Sequence, residues 1–528
     1  MPLASAPAGC RGAVAAGHAT TAAAALELLE DGGNAFDALA AALAASFVVE
    51  PALSSPGGGG FLLAHPAGAE PTLLDFFAQT PGRRVPGDGV TLDFLPLQVD
   101  FGTATQEFHA GRAAAAVPGM IPGLCALHAR LCSLPLPRIL EPAIGLARRG
   151  EPLAPMQAHI IRVIAPILTL TPGARAVFAG GAGRGDAPPA TLPEGTTLAL
   201  PQLADTLELL AAEGERVFRD GPVAAAIAGL CREGGLLRAA DLAAYRVHWR
   251  RPLQQRVLDA RVYSNPPPSA GGPLLLFGLA LADTLPSAAG AADLATIMQL
   301  TAEARDATGL DHAVDARHVD ALLGAAGLPQ WRRRFAADRG RRAMKRGGTT
   351  HVSVVDRQGN TAACTVSNGE GCGHMVPGTG FMLNNMLGEE DLNPAGFFRW
   401  APDTRVASMM APTLAERGDG RLLALGSAGS NRIRTALLQV LCNVLSRDLP
   451  LDAAITAPRL HLERGRLEIE GGWPERELAT LRPRWPAQRL WDDRSMFFGG
   501  VQAVQRLPDG SLQAAGDPRR GGAAAVLR

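Results

Sequence analysis

Residues 346–360 read RGGTTHVSVVDRQGN, with two glycines and two threonines standing directly before a run rich in β-branched residues. Val352, Val354 and Val355 suit a sheet interior, and Asp356 to Asn360 read as the turn that ends the strand. A threonine hydroxyl is a weak nucleophile until a base takes its proton. At an N-terminal threonine that base is the residue's own α-amine, whose reference pKa of roughly 7.7–8.0 lies close to working pH. Thr349 meets this condition only if the chain is cut after Gly348. Glycine there leaves the carbonyl open to the following hydroxyl, because no Cβ obstructs the approach. Taken alone, Gly-Gly-Thr-Thr fits an ordinary turn equally well.

On the N-terminal side of this stretch lies WRRRFAADRGRRAMKR (331–346), with eight basic residues against one Asp. It is expected to be a solvated, mobile linker or a frayed helix, continuing to residue 348. One basic run without interleaved aromatics does not point to nucleic acid. Lys+Arg and Asp+Glu both number 50, so no global field favours nucleic acid or an anionic membrane, and a small neutral or zwitterionic partner is expected. A length of 528 residues with 47% hydrophobic content predicts two lobes or one large layered domain.

Further out, residues 19–30 and 35–49 carry Ala, Leu and Val at a helical period. They predict a helical hairpin with Gly32-Gly33 as C-cap and Asn34 as the next N-cap. Gly57 to Gly60 form a glycine-rich loop running into a strand, with TLLDFF as its partner. The helix and lysine of a phosphate-binding loop are missing, so close backbone packing is the expected use of these glycines. From residue 351 onward short β-type runs dominate. The expectation is an α+β fold, either layered or αββα.

Seven cysteines, odd in number and scattered, fit a reducing compartment. The N-terminus lacks a basic start followed by an apolar core, so a cytoplasmic location is expected. Cys364, Cys372 and His374 match no common zinc spacing, and neither a metal nor another cofactor is expected. His351 alternates away from Thr350 along the strand and is expected to pack.

GGNAFDALAAA, VVEPALSSPGGGGFLL, EPAIGLARRGEP, NPPPSAGG, TTHVSVVDRQGN, GFMLNNML, GSAGSNRI, APRLH and GDPRRGG occur in this order along nearly the whole chain. With these motifs the sequence resembles the γ-glutamyltranspeptidase family of N-terminal nucleophile hydrolases. The resemblance implies a four-layer αββα sandwich, made as a proenzyme that cleaves itself into a large chain (1–348) and a small chain (349–528). Thr349 then corresponds to the autoprocessing residue and mature nucleophile, and Gly348 to the cleavage position. Ser367 falls at the family's second threonine, which hydrogen-bonds the nucleophile. Gly429 and Ser430 stand where backbone N–H groups receive the oxyanion.

The substrate grip departs from the family pattern. The arginine that holds the glutamyl α-carboxylate is replaced by Phe77. Ser408 of the carboxylate-binding serine pair is kept, with Met409 beside it. Met386 stands at the glutamine position, and Glu389 aligns with the aspartate that pairs with the α-ammonium. The asparagine near that ammonium falls at Gly369, next to Asn368. Glu370 and His374 are candidates to reshape the pocket, and residues 392–405, with Phe397, Phe398 and Trp400, lie where relatives carry a lid.

Three readings follow. One is γ-glutamyl hydrolysis or transfer on glutathione-like amides, to water or an amine. The second is an amidase or acylase for a less charged acyl group. The third is an unprocessed, non-catalytic binding protein. Partners are a small amide, its acceptor and the two chains of one precursor, with room for a homo-oligomer.

Overall fold

The computed structural model describes residues 3–7, 9–82, 91–100, 105–180, 190–310, 314–336, 348–393, 395–463 and 465–528. Two seven-stranded antiparallel sheets dominate. One runs Ala523–Leu527, Gly12–Ala16, Thr350–Asp356, Thr361–Ser367, Gly59–His65, Thr72–Phe76 and His248–Arg250. The other has Gly500–Arg506, Leu422–Ala428 and Thr413–Arg417 at its centre.

Strand Thr350–Asp356 is buried along its whole length and shows why its sequence alternates as it does. Val352 and Val354 join the apolar cluster of the helices Ala19–Glu30 and Ala35–Val49, while Val355 joins the cluster of the opposite sheet. His351 and Ser353 face that second sheet: a Cβ on Gly426 would meet the imidazole, and Ser353 Oγ donates to Gln502 O at 3.4 Å. The period of two thus assigns one face to helices and one to the partner sheet.

The helical hairpin has the predicted bounds. Asn34 Oδ1 accepts from the N–H groups of Phe36 and Asp37, and Asp37 returns the bond to Asn34 N, a reciprocal cap that satisfies helix-end donors. Gly57 to Gly60 pack backbone to backbone, as expected: a Cβ on Gly58 would lie 2.4 Å from Ser367 O, and one on Gly60 2.5 Å from Thr365 O. These contacts let the loop lie against the strand that ends at Ser367.

The basic stretch before the site differs from expectation at its start. Leu328–Phe335 is a helix, with Trp331 edge-on to Phe277 at 5.9 Å and Arg332 Nε donating to Ala280 O at 3.2 Å. Leu328, Trp331 and Phe335 recur at helical spacing, and arginine is a good helix former, so the apolar stripe docks while Arg333 and Arg334 stay exposed. The remainder of the expected linker, 337–347, lies outside the described residues. Among the described residues, no helix is long and apolar enough to cross a membrane.

Candidate active site

Thr349 sits where the first sheet opens toward the second. Its Oγ lies 2.6 Å from the carbonyl oxygen of Gly348, beside the carbon it would attack. Ser367, at the end of the neighbouring strand, donates its hydroxyl to the same oxygen at 2.7 Å and accepts from Gly369 N at 3.0 Å. Two hydroxyls therefore converge on one carbonyl of the uncut chain. One of them, Ser367, is placed to polarise that carbonyl and to receive the negative charge that attack by Thr349 would build.

Thr350 faces the opposite way and anchors the strand. Its hydroxyl donates to Glu50 at 2.7 Å, and Thr21 donates to the other carboxylate oxygen at 2.8 Å. Glu50 ends the helix Ala35–Val49 and is fully enclosed, so dehydration raises its pKa above the usual carboxylate range, against the two hydroxyls that favour the charged form. A side chain at Gly17 would collide with both groups. His351 is held by Thr365 Oγ at 2.7 Å and Ser353 Oγ at 2.9 Å, and burial lowers its pKa to about 3. It is a neutral packing residue of the sheet interface.

Glu370 closes the other side of Gly348. Its carboxylate accepts from the Gly348 N–H and is 3% exposed; dehydration pushes its pKa up to about 7, opposed by that bond and by Arg520 and Arg432. Because the folded state holds this proton above an ordinary value of 4.5, the contribution of Glu370 to stability is full at low pH and is lost as pH climbs from about 4.5 through about 7. In an uncut Thr349→Ala background, Glu370→Gln is expected to remove up to about 3 kcal/mol of the stability lost between pH 5 and pH 8. Urea melts at the two pH values measure it, and equal pH dependence in the two proteins would contradict the assignment.

A small cavity of about 30 Å³ adjoins Thr349. Phe77, Gly348, Ser367, Met386, Glu389, Ser408, Met409 and Ser430 all line it, so the structure assembles most of the residues expected from sequence. Ser430 has φ 50 and Gly429 φ 117, a turn of left-handed residues between the strand Leu422–Ala428 and the helix Arg432–Leu445. Such a turn in a non-glycine residue costs of order 1–3 kcal/mol and exposes successive N–H groups. Asn368 lies outside the cavity wall, and its Oδ1 is buried without a partner. At Gly369 (φ 60) any side chain would run into Asn385 Oδ1 and Glu389 Oε1, which occupy the space that an asparagine there would need.

Glu389 has its pKa raised well above the usual range, first by dehydration and then by the neighbouring acids Glu370 and Asp391. Asp391 is bridged to Asn431 Nδ2 at 3.1 Å. Neither Asp391 nor the contact of Glu370 with Gly348 was identified from sequence. Among the described residues lining this cavity there is no Lys, Arg or His. The nearby Arg405 is committed elsewhere: its guanidinium donates to Phe77 O at 2.7 Å and Arg246 O at 2.6 Å and pairs with Asp75 at 3.1 Å.

His374 pairs with Asp93 at 3.0 Å and does not reach the cavity, and Cys364 and Cys372 are free thiols whose pKa values burial raises. Phe397 and Phe398 pack on Phe94, at 5.2 and 4.6 Å, and Trp400 packs on Phe398 at 5.4 Å. Asn393 donates to Met386 O and Glu389 O, which ties the start of this segment to the cavity wall.

Residues 21–527 match the family model described as Gamma-glutamyltranspeptidase, and the chain belongs to that family. It is 32% identical over 525 residues to the acylase ACY 1 proenzyme of Pseudomonas sp. (strain V22), covering 96% of this chain and 92% of that one. It is 30% identical to the glutathione hydrolase proenzyme of Pseudomonas aeruginosa, covering 98% and 95%. The fold matches the crystal structure of cephalosporin acylase from Bacillus halodurans with a TM-score of 0.83 over 99% of this chain and 97% of that one, at 24% identity.

Proposed function

We propose that this protein is a self-cleaving threonine amidohydrolase that acts on amides whose acyl group carries no free α-carboxylate. The observation that carries the specificity is the wall beside Thr349: Phe77, Met386 and Met409, two acids, and no cation among the described lining residues. A carboxylate buried there without a partner would lose roughly 3 kcal/mol or more, a factor of at least about 100 in affinity.

The chemistry follows from the residues. Cleavage between Gly348 and Thr349 frees the α-amine of Thr349, which takes the proton of its own Oγ. Oγ attacks the substrate carbonyl, the backbone N–H groups of Gly429 and Ser430 receive the oxyanion, and the amine leaves with the proton. Water or a second amine then releases the acyl group. The large chain 1–348 and small chain 349–528 would together form the four-layer αββα sandwich. Relatives described as acylase and glutathione hydrolase proenzymes support both the amide chemistry and the precursor.

A second reading, γ-glutamyl hydrolysis or transfer, is favoured by Glu389, whose carboxyl could meet an α-ammonium. The two are separated by comparing butanoyl and γ-glutamyl p-nitroanilides on the fully processed protein. A butanoyl preference of about 100-fold is expected. Phe77→Arg is expected to narrow it by about tenfold, through a restored charge-assisted contact. Faster release from the γ-glutamyl anilide would overturn the first reading and leave the second.

A further inference from the structure

We propose that the cavity on the far side of Gly348 is the subsite of the leaving amine, shaped for an apolar amine that carries a carboxylate, with Arg520 as the anchor of that carboxylate. This rests on the amidohydrolase reading above. The second cavity measures about 260 Å³, near the lower end of small-molecule pockets at about 300 Å³. Gly348 lines both this cavity and the one beside Thr349. In the uncut chain Gly348 is therefore the partition between them, and its departure after cleavage joins the two spaces across the nucleophile. An amide whose acyl limb lies against Phe77 and Met386 has to send its amine limb the other way, into this space.

The walls of the two compartments differ in charge. The acyl side holds Glu389 and Asp391. The amine side holds two cations, Arg432 and Arg520, against one acid, Glu370, among Ile160, Ile164, Trp491 and Phe497, so one positive charge is left over for a ligand. Trp491 and Phe497 stack at 5.0 Å and offer an aromatic face. Arg520 is fixed from behind. Its Nε donates to Met496 O at 3.2 Å, and its backbone N–H donates to Asp517 O at 3.3 Å. Asp517 is in turn locked by Arg459 at 2.6 Å and Arg519 at 3.2 Å. The Nη2 of Arg520 lies 3.4 Å from where a Cβ on Gly429 would stand, which places the outer edge of the guanidinium beside the turn expected to hold the oxyanion. A planar cation held through its Nε in the wall of a largely apolar pocket suits a carboxylate. The polarity of the favoured amide is thereby set: a neutral acyl half and an anionic amine half, as in an N-acyl amino acid.

The test uses the processed protein with N-butanoyl-L-phenylalanine and N-butanoyl-phenethylamine, which differ by that carboxylate. The carboxylated amide is expected to have a kcat/KM roughly tenfold or more above the uncharged one, the size of one charge-assisted hydrogen bond. Arg520→Gln is expected to bring the ratio close to one, and Arg520→Lys to keep part of it. Calorimetric titration with free L-phenylalanine should show binding at least about tenfold tighter than phenethylamine. A ratio near one in the unaltered protein, or one that Arg520→Gln leaves in place, overturns the subsite. Hydrolysis of butanoyl anilide without such a preference rejects the subsite alone. Failure of the processed protein to cleave any amide rejects the amidohydrolase reading, and the titration still decides the subsite.

Discussion

Thr349→Ala is expected to leave a single chain of 54.8 kDa that neither cuts itself nor turns over any amide. The unaltered protein should give bands near 36 and 19 kDa, about 348/528 and 180/528 of the whole, and the smaller should begin Thr-Thr-His. The expectation is total because the proposed mechanism gives both reactions to one atom: Thr349 Oγ stands 2.6 Å from the Gly348 carbonyl oxygen in the uncut chain and would be the nucleophile toward substrate afterwards. Ser367, the other hydroxyl at that carbonyl, donates to its oxygen at 2.7 Å and has no α-amine of its own to act as base. Thr350 is committed to Glu50 on the opposite face of the strand, and His351 is locked between two hydroxyls. Denaturing electrophoresis and N-terminal sequencing check the result. An unaltered chain that stays intact on long incubation would sink the enzyme and leave the non-catalytic binding protein.

Ser367→Ala is expected to slow self-cleavage by about 100- to 1,000-fold while leaving the chain folded, the usual loss when one donor to a developing oxyanion is removed. The Ser367 hydroxyl bridges Gly348 O at 2.7 Å and Gly369 N at 3.0 Å. Removal therefore strips charge stabilisation from the carbonyl and also frees the turn that holds Glu370 beside it. Ser367→Thr should restore most of the rate, because the hydroxyl is kept. The conversion of precursor to small chain, followed by gel over time, reads both variants. Equal rates in Ser367→Ala and the parent would assign Ser367 to packing.

Local patterns made much of this architecture legible. The hairpin 19–30 and 35–49, its Asn34 cap and the strand after Thr349 are short-range features, and periodicity and capping chemistry report them directly. The helix Leu328–Phe335 carried its signal too, in Leu328, Trp331 and Phe335, but the density of arginine made the stretch read as solvated chain. The contacts that escaped are tertiary. Glu50 meets Thr350 across 300 positions, and Arg405 is drawn away from the cavity by the Phe77 carbonyl and Asp75, neither of which any spacing rule can place. Gly369 could be noted as a missing asparagine, yet the reason for glycine, the crowding of Asn385 and Glu389, exists only in three dimensions. The motifs APRLH and GDPRRGG, apart in sequence, turn out to be the two halves of one buried network of Arg459, Asp517, Arg519 and Glu470.

The order of strands in the first sheet bears on how the molecule is made and lost. Thr350–Asp356 pairs with Gly12–Ala16 on one side, and Thr361–Ser367 pairs with Gly59–His65 on the other. Ala523–Leu527 closes over the far edge of Gly12–Ala16. Segments from before and after Gly348 are thus braided within one hydrogen-bonded ladder. A cut at that bond leaves two polypeptides that cannot part without tearing the sheet, and once parted they have lost the covalent tether under which the braid was first assembled. With that cut, assembly would be a one-way passage, and the working lifetime of the cut molecule would be set by the height of its unfolding barrier rather than by an equilibrium. Heat inactivation of the cut form should not reverse on cooling, whereas the uncut Thr349→Ala chain should regain its structure.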